Sequence, residues 1–134
     1  MSDRGAAIAA AALTLVGTPF RLHGRDPALG LDCVGVIEWS LGAAGITLPL
    51  PRAYGWRNRS CDHLIPSCEN AGGRIVGGPA WVGDIVLARP GPGQHHLLVM
   101  TGPTGFVHAH ASLRRVVHQP GAVPWPIHCR WRFG

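Results

Sequence analysis

The sequence predicts an α+β domain in which helices come first and an antiparallel sheet of five to six strands follows. Two helix-forming runs fill the first third of the chain, the alanine-rich Gly5–Val16 and the apolar-periodic Cys33–Ala44. From Trp81 onward the pattern changes to short strand-like segments separated by proline and glycine turns. A length of 134 residues, 46% hydrophobic content and no low-complexity tract suit a single ordered domain over residues 1–134. Such a chain buries a core without metal or disulfide staples.

In order, the Gly5–Val16 run reads as a first helix ended by Gly17 and Pro19. Its composition resembles the apolar stretch of a signal peptide. However, only Arg4 precedes it, no small-x-small cleavage site follows, and it is too short to span a bilayer. The expectation is therefore a protein that is cytoplasmic as synthesised, with no membrane span. Residues 17–27 form a turn-rich loop leading to Asp32, a preferred helix N-cap, and a second helix from Cys33 to Ala44 stopped by Gly45. Val36, Ile37, Leu41 and Ala44 mark its buried face. Between Ile46 and Gly78 only a short helix near His63 to Asn70 is legible, and Tyr54 and Trp56 there are candidates either to line a substrate groove or to pack a long loop. Strands are predicted at Asp84–Ala88, His96–Thr101, Phe106–His110, Arg114–His118 and Ile127–Phe133.

The chemistry-bearing feature is Cys33, one residue beyond the cap. The positive end of a helix dipole favours thiolate over thiol, and a capping Asp32 directs its carboxylate at backbone amides rather than at sulfur. Cys33 is then an activated nucleophile if a histidine partners it; the plainer alternative is a small buried hydrophobe. Eight histidines are available. His95 and His96 open a strand after a Pro/Gly loop, and His108 and His110 share a face of the next strand. A tight turn over residues 102–105 brings these two strands into cross-strand reach. One imidazole is placed to act as base while another orients it. Periodicity does not choose between His95 and His96, because the run from His96 to Met100 is apolar on both faces.

The net charge of +5 and pI of about 9.8 come from twelve basic residues, all arginine, so lysine Schiff-base chemistry is excluded. The arginines are scattered and no nucleic-acid-binding motif is present, so a nucleic-acid partner is not expected. Positive charge suits polyanionic or carboxylate-rich partners. With Cys33 as nucleophile, Cys61, Cys68 and Cys129 remain; Cys61 with Cys68 is the pair that an oxidising setting favours, and all are reduced in a cytosol. No C-x-x-C or H-E-x-x-H spacing supports zinc, and no cofactor is called for.

The Asp32-Cys33-x-Gly35 helix start, the Gly83-Asp84-Ile85-Val86-Leu87 strand, the strand opening at His96 and the Phe106-Val107-His108-Ala109 strand fall in a known order and spacing. In this the chain resembles the NlpC/P60 family of cell-wall cysteine endopeptidases, from about Ala7 to Phe133. Within that family it resembles the branch found with tailed phages and gene transfer agents, including the terminal Arg130-Trp131-Arg132-Phe133.

The resemblance implies a reduced papain-like fold with Cys33 as nucleophile, His96 as general base and His108 orienting His96. It implies hydrolysis of the D-γ-glutamyl to diaminopimelate bond in peptidoglycan stem peptides, with phage tail proteins as a further class of partner. Action would then be at the cell wall or periplasm, delivered by a phage-like particle. Asp32 is expected to contact the substrate amine as well as cap the helix, with Phe20, Tyr54, Trp56, His95 and His110 as substrate-binding candidates. Two positions depart from the family pattern: Phe20 stands where a tyrosine is usual and Val34 where serine is frequent. Other readings are an amidase or acyltransferase on the same fold, or a catalytically weak or inactive wall-binding or tail module.

Overall fold

Ala-rich residues form α1, Asp3–Thr14, with Ile8, Ala9 and Ala12 turned to the core. The computed structural model describes residues 3–48 and 64–134. After α1, a loop carries the two-residue strands β1, Arg25–Asp26, and β2, Gly30–Leu31, paired antiparallel. The second helix, α2, spans Cys33–Ala43, and its N-cap is Asp32. It is buried on more than the one face that periodicity marks: Val34, Gly35, Val36, Ile37, Ser40 and Leu41 are all inside. The reason is the preceding loop, which folds back against the first turn. The carbonyl of Gly24 lies where a Cβ on Gly35 would stand. Gly35 is thus the residue that lets chain 21–31 lie against the helix.

A third helix, α3, covers Leu64–Asn70, and the remaining strands are β3, Gly73–Ile75, β4, Ile85–Ala88, β5, His96–Gly102, β6, Gly105–His110, β7, Arg115–Pro120, and β8, Ile127–Phe133. They form a six-stranded antiparallel sheet in the order β3-β8-β4-β5-β6-β7. The helices-then-sheet architecture is the one the sequence predicts. The β1–β2 pair and β3 are additions: two- and three-residue strands are too short to display an alternation.

Both sheet faces are covered. The helix side packs Ile85, Leu87, Leu97, Val99, Val107, Trp131 and Phe133 against Ile8, Val36, Ile37 and Leu41. On the other side Val86, Ala88, Leu98, Met100 and Phe106 are covered by Ala80, Val123 and Trp125 from loops. This explains why β4 and β5 read as unbroken apolar runs.

An ion cluster ties β8 to the loop that leads into its neighbour β4. Asp84, fully buried, accepts from Arg132 Nε and a terminal nitrogen at 2.9 Å each and from the Trp81 N–H at 2.9 Å. Arg130 Nε lies 3.1 Å from the same carboxylate, and its terminal nitrogen donates to the carbonyls of Gly77 and Gly78 at 2.8 and 2.7 Å. The Arg132 guanidinium also stacks 3.8 Å above Trp81. Removing the shared carboxylate leaves two largely buried cations without their common counter-charge. Asp84→Asn should therefore cost about 3–5 kcal/mol in urea unfolding. A loss below about 1 kcal/mol would contradict this account of the cluster.

Candidate active site

The site begins at the Asp32 cap. One carboxylate oxygen accepts from the Gly35 N–H at 2.9 Å and from Arg25 at 3.3 Å; the other accepts from the His23 N–H at 2.8 Å. Arg25 in turn reaches Glu38 on α2 at 3.0 Å. Asp32 is 2% exposed and performs the capping that its position predicts. Its oxygens are turned to the protein's own donors.

Cys33 follows at the first helical position and lines a cleft of about 360 Å³ together with Phe20, Asp32, His95, His96, His108, His110 and Trp125. The cleft therefore gathers Cys33, both histidine pairs, Phe20 and Asp32. Tyr54 and Trp56, the other substrate-binding candidates, lie outside the described residues, as does Cys61. Cys68, the partner proposed for Cys61, is buried near Cys129; burial and the Cys129 thiol push the Cys68 thiol up to about 12.

The histidines reach the cleft through sheet geometry. Val99 pairs with Val107, so extending that register places Leu98 opposite His108 and His96 on the diagonal. His96 and His108 thus share the face away from the core helices, at the sheet end where β5 starts and β6 finishes. His96 Nε2 lies 2.8 Å from His108 Nδ1, and His108 Nε2 lies 2.9 Å from Gln119 Oε1 on β7. His108 is 1% exposed, whereas His96 is only partly covered. Of the two adjacent histidines, His96 is the one joined to this chain of bonds. His110 sits 5.5 Å from His108, ring to ring, and its Nδ1 accepts the Leu113 N–H at 3.2 Å.

Two cleft neighbours escape the sequence reading. Trp125 meets the His96 and His108 rings edge-on at 5.6 and 5.7 Å and shields them from water. Flanked by Pro124 and Pro126, it reads as turn punctuation. Gln119 closes the hydrogen-bonded chain, but a lone glutamine near a strand end carries no motif.

Electrostatics correct one expectation. The Cys33 thiol is not a resting thiolate: burial foremost, then the Asp32 charge, push its pKa up to about 11. The N–H groups of Leu97 and Val34 and the Arg25 charge act the other way without prevailing. Capping does direct the carboxylate at amides, yet its charge is adjacent and still opposes a second anion. His96 is lowered to about 3, by burial foremost and then by His108 and His110. His108 is also lowered, chiefly by burial, with the Gln119 bond opposing. At neutral pH one cleft holds a protonated thiol and neutral imidazoles. No arginine among the described residues lines the cleft.

Among the described residues no group of three or more His, Cys, Asp and Glu is arranged to hold a metal ion. None of the described helices is long and apolar enough to cross a membrane.

Residues 17–126 match the NlpC/P60 family. The chain belongs to that family. Over 125 residues, 92% of its length, it is 30% identical to Protein P54 of Enterococcus faecium. Over 38 residues it is 47% identical to the bifunctional muramidase/DL-endopeptidase CwlT of Bacillus subtilis (strain 168). These matches span 21% and 12% of the two relatives. Among solved structures, the NlpC/p60 domain of the peptidoglycan hydrolase SagA superposes with a TM-score of 0.61 at 28% identity, covering 87% of this chain and 88% of that one. NlpC1 of Trichomonas vaginalis gives 0.73 at 20% identity over 98% of this chain and 46% of that one. RipD of Mycobacterium tuberculosis, described as a non-catalytic NlpC/p60 domain protein adapted to peptidoglycan binding, gives 0.62 at 17% identity over 98% and 97%. This is a cell-wall peptidase family, and its fold is the helix-plus-sheet architecture described above.

A thiol at about 11 has a readable signature. Alkylation of Cys33 by iodoacetamide should climb about tenfold per pH unit from pH 7 to 10, slower at neutral pH than an ordinary free thiol. A rate already flat from pH 5 to 9 would mean a thiolate–imidazolium pair and would contradict the neutral cleft.

Proposed function

We propose that this protein is a cysteine endopeptidase that hydrolyses peptidoglycan stem peptides at the D-γ-glutamyl to diaminopimelate bond. The observation that carries the reading is one cleft holding Cys33 at a helix start beside the bonded series His96, His108, Gln119. A cysteine buried only as a hydrophobe has no need of that series. The DL-endopeptidase named in CwlT and the peptidoglycan hydrolase named in SagA support the substrate class. Action at the cell wall, with delivery by a phage-like particle carrying tail proteins as partners, belongs to the same proposal.

In the reaction, His96 removes the Cys33 proton as sulfur attacks the peptide carbonyl. His108 holds the His96 ring and shares the positive charge that forms on it. The tetrahedral oxyanion meets the N–H of Cys33, an end-of-helix donor with no intrahelical acceptor. Imidazolium then protonates the leaving amine, leaving a thioester. A water, deprotonated by His96, releases the acid and restores the thiol.

Phe20 favours a second reading. It lines the cleft and offers no hydroxyl where the family pattern has tyrosine. One lost oxyanion donor costs about 2.7–4 kcal/mol in the transition state. That loss, with a thiol at about 11, fits a weak or non-hydrolytic wall-binding module such as the description of RipD gives.

Digestion separates the two. Purified peptidoglycan and an L-Ala-γ-D-Glu-diaminopimelate peptide, incubated with wild type, should yield fragments of the mass that γ-glutamyl cleavage predicts. Cys33→Ala should yield none, and His96→Ala should be slower by about 10²–10⁴. Wall binding without fragments from the wild type would favour the binding module.

A further inference from the structure

We propose that Gln119 is a positioning residue: its side-chain oxygen fixes which ring nitrogens of His108 and His96 carry protons, and so leaves His96 able to act as a base. The assignment rests on the peptidase reading above. Protons can be counted along three side chains in series. Gln119 Oε1, 2.9 Å from His108 Nε2, accepts only, so His108 must carry its proton on Nε2. A neutral imidazole holds one ring proton, so His108 Nδ1 is then a bare acceptor. That nitrogen lies 2.8 Å from His96 Nε2, which must therefore be the donor. His96 Nδ1 is left with its lone pair, and it is the nitrogen to which the proposal assigns the Cys33 proton.

Reversing the amide reverses every step. An NH₂ group facing His108 forces the His108 proton to Nδ1, which then donates to His96 Nε2. His96 would carry its own proton on Nδ1 and could accept nothing from sulfur. The choice between a base and a blocked ring is thus set on β7, with His108 and His96 standing between Gln119 and the thiol. His108 alone cannot make this choice, because each of its nitrogens can play either part.

The surroundings favour neutral rings, the condition under which the tautomer decides. Burial lowers His108, and the only titratable groups facing the pair among the described cleft residues are His95, His110, Cys33 and Asp32, the last paired with Arg25. Phe106 and Trp125 pack on the rings, 5.0 Å from His108 and 5.6 Å from His96, and supply neither a donor nor an acceptor to those nitrogens. Gln119 stands opposite Phe106 in the β6–β7 register, held by the ladder in reach of His108.

The test combines a tautomer readout with kinetics. In ¹⁵N-histidine-labelled wild type at pH 7, long-range nitrogen–carbon-proton spectra should show His96 and His108 both protonated on Nε2. Gln119→Leu, which removes the acceptor, should mix the His108 tautomers and lower kcat at least about tenfold with KM little changed. A wrong tautomer costs about 10⁴ in a Ser-His-Asp triad, which bounds the effect. Gln119→Glu, which keeps an acceptor and adds charge, should recover most of that kcat and move the acid limb of kcat/KM to higher pH. A wild-type His96 protonated on Nδ1 overturns the proposal, as does a Gln119→Leu protein with unchanged tautomers and kcat. The spectra need no substrate, so they decide the positioning role even if the wild type cleaves no wall peptide, and the wild-type spectrum decides it even if Gln119→Leu does not fold.

Discussion

One carboxylate holds the active-site end of this fold together. Asp32 caps α2 through the Gly35 N–H, fastens the preceding loop through the His23 N–H and draws in Arg25. Gly35 is the steric counterpart, since a side chain there would meet the Gly24 carbonyl. Together they fix where Cys33 emerges from the helix. The same carboxylate opposes charge on the neighbouring sulfur, second only to burial in pushing the thiol up to about 11. The cap that positions the Cys33 sulfur therefore also keeps it protonated, so in the proposed reaction the step that charges it has to be the step that uses it.

That requirement defines the task of the sheet. In the proposed reaction a base facing a protonated thiol must be neutral and correctly tautomeric at the moment of attack. Burial beneath Trp125 and the proximity of His108 and His110 keep His96 neutral. The ladder from β5 through β6 to β7 sets the three side chains in series. The buried Asp84 cluster fastens β4, which pairs with β5, to β8. Distant ion pairs and the cleft are in this way parts of one rigid support.

The large elements were legible because their signals are periodic and bounded. A capping Asp before an apolar run marked α2, and proline and glycine turns separated the strands of the sheet. The short β1–β2 pair and β3 lacked the length for a pattern. At the site, the sequence indicated which residue types gather, Cys33 with His95 or His96 and His108 or His110, but not which ring bonds which. That choice depends on strand register and on which face a residue takes, and an apolar run such as His96–Met100 hides its inward direction. Gln119 and Trp125 were illegible because their roles exist only across strands. The protonation of Cys33 departs from the helix-dipole expectation for a different reason: a capping geometry can be read locally, whereas desolvation is a property of everything packed around it.

In the proposed reaction Cys33 forms a covalent acyl intermediate in the course of peptide cleavage. Incubating wild type with an excess of stem peptide, quenching in acid within the first turnovers and weighing the intact protein and its Cys33 peptide tests this directly. The account predicts a mass increase equal to the acyl half of the substrate, confined to the Cys33 peptide and lost on treatment with hydroxylamine. Cleavage that persists in Cys33→Ala would contradict it.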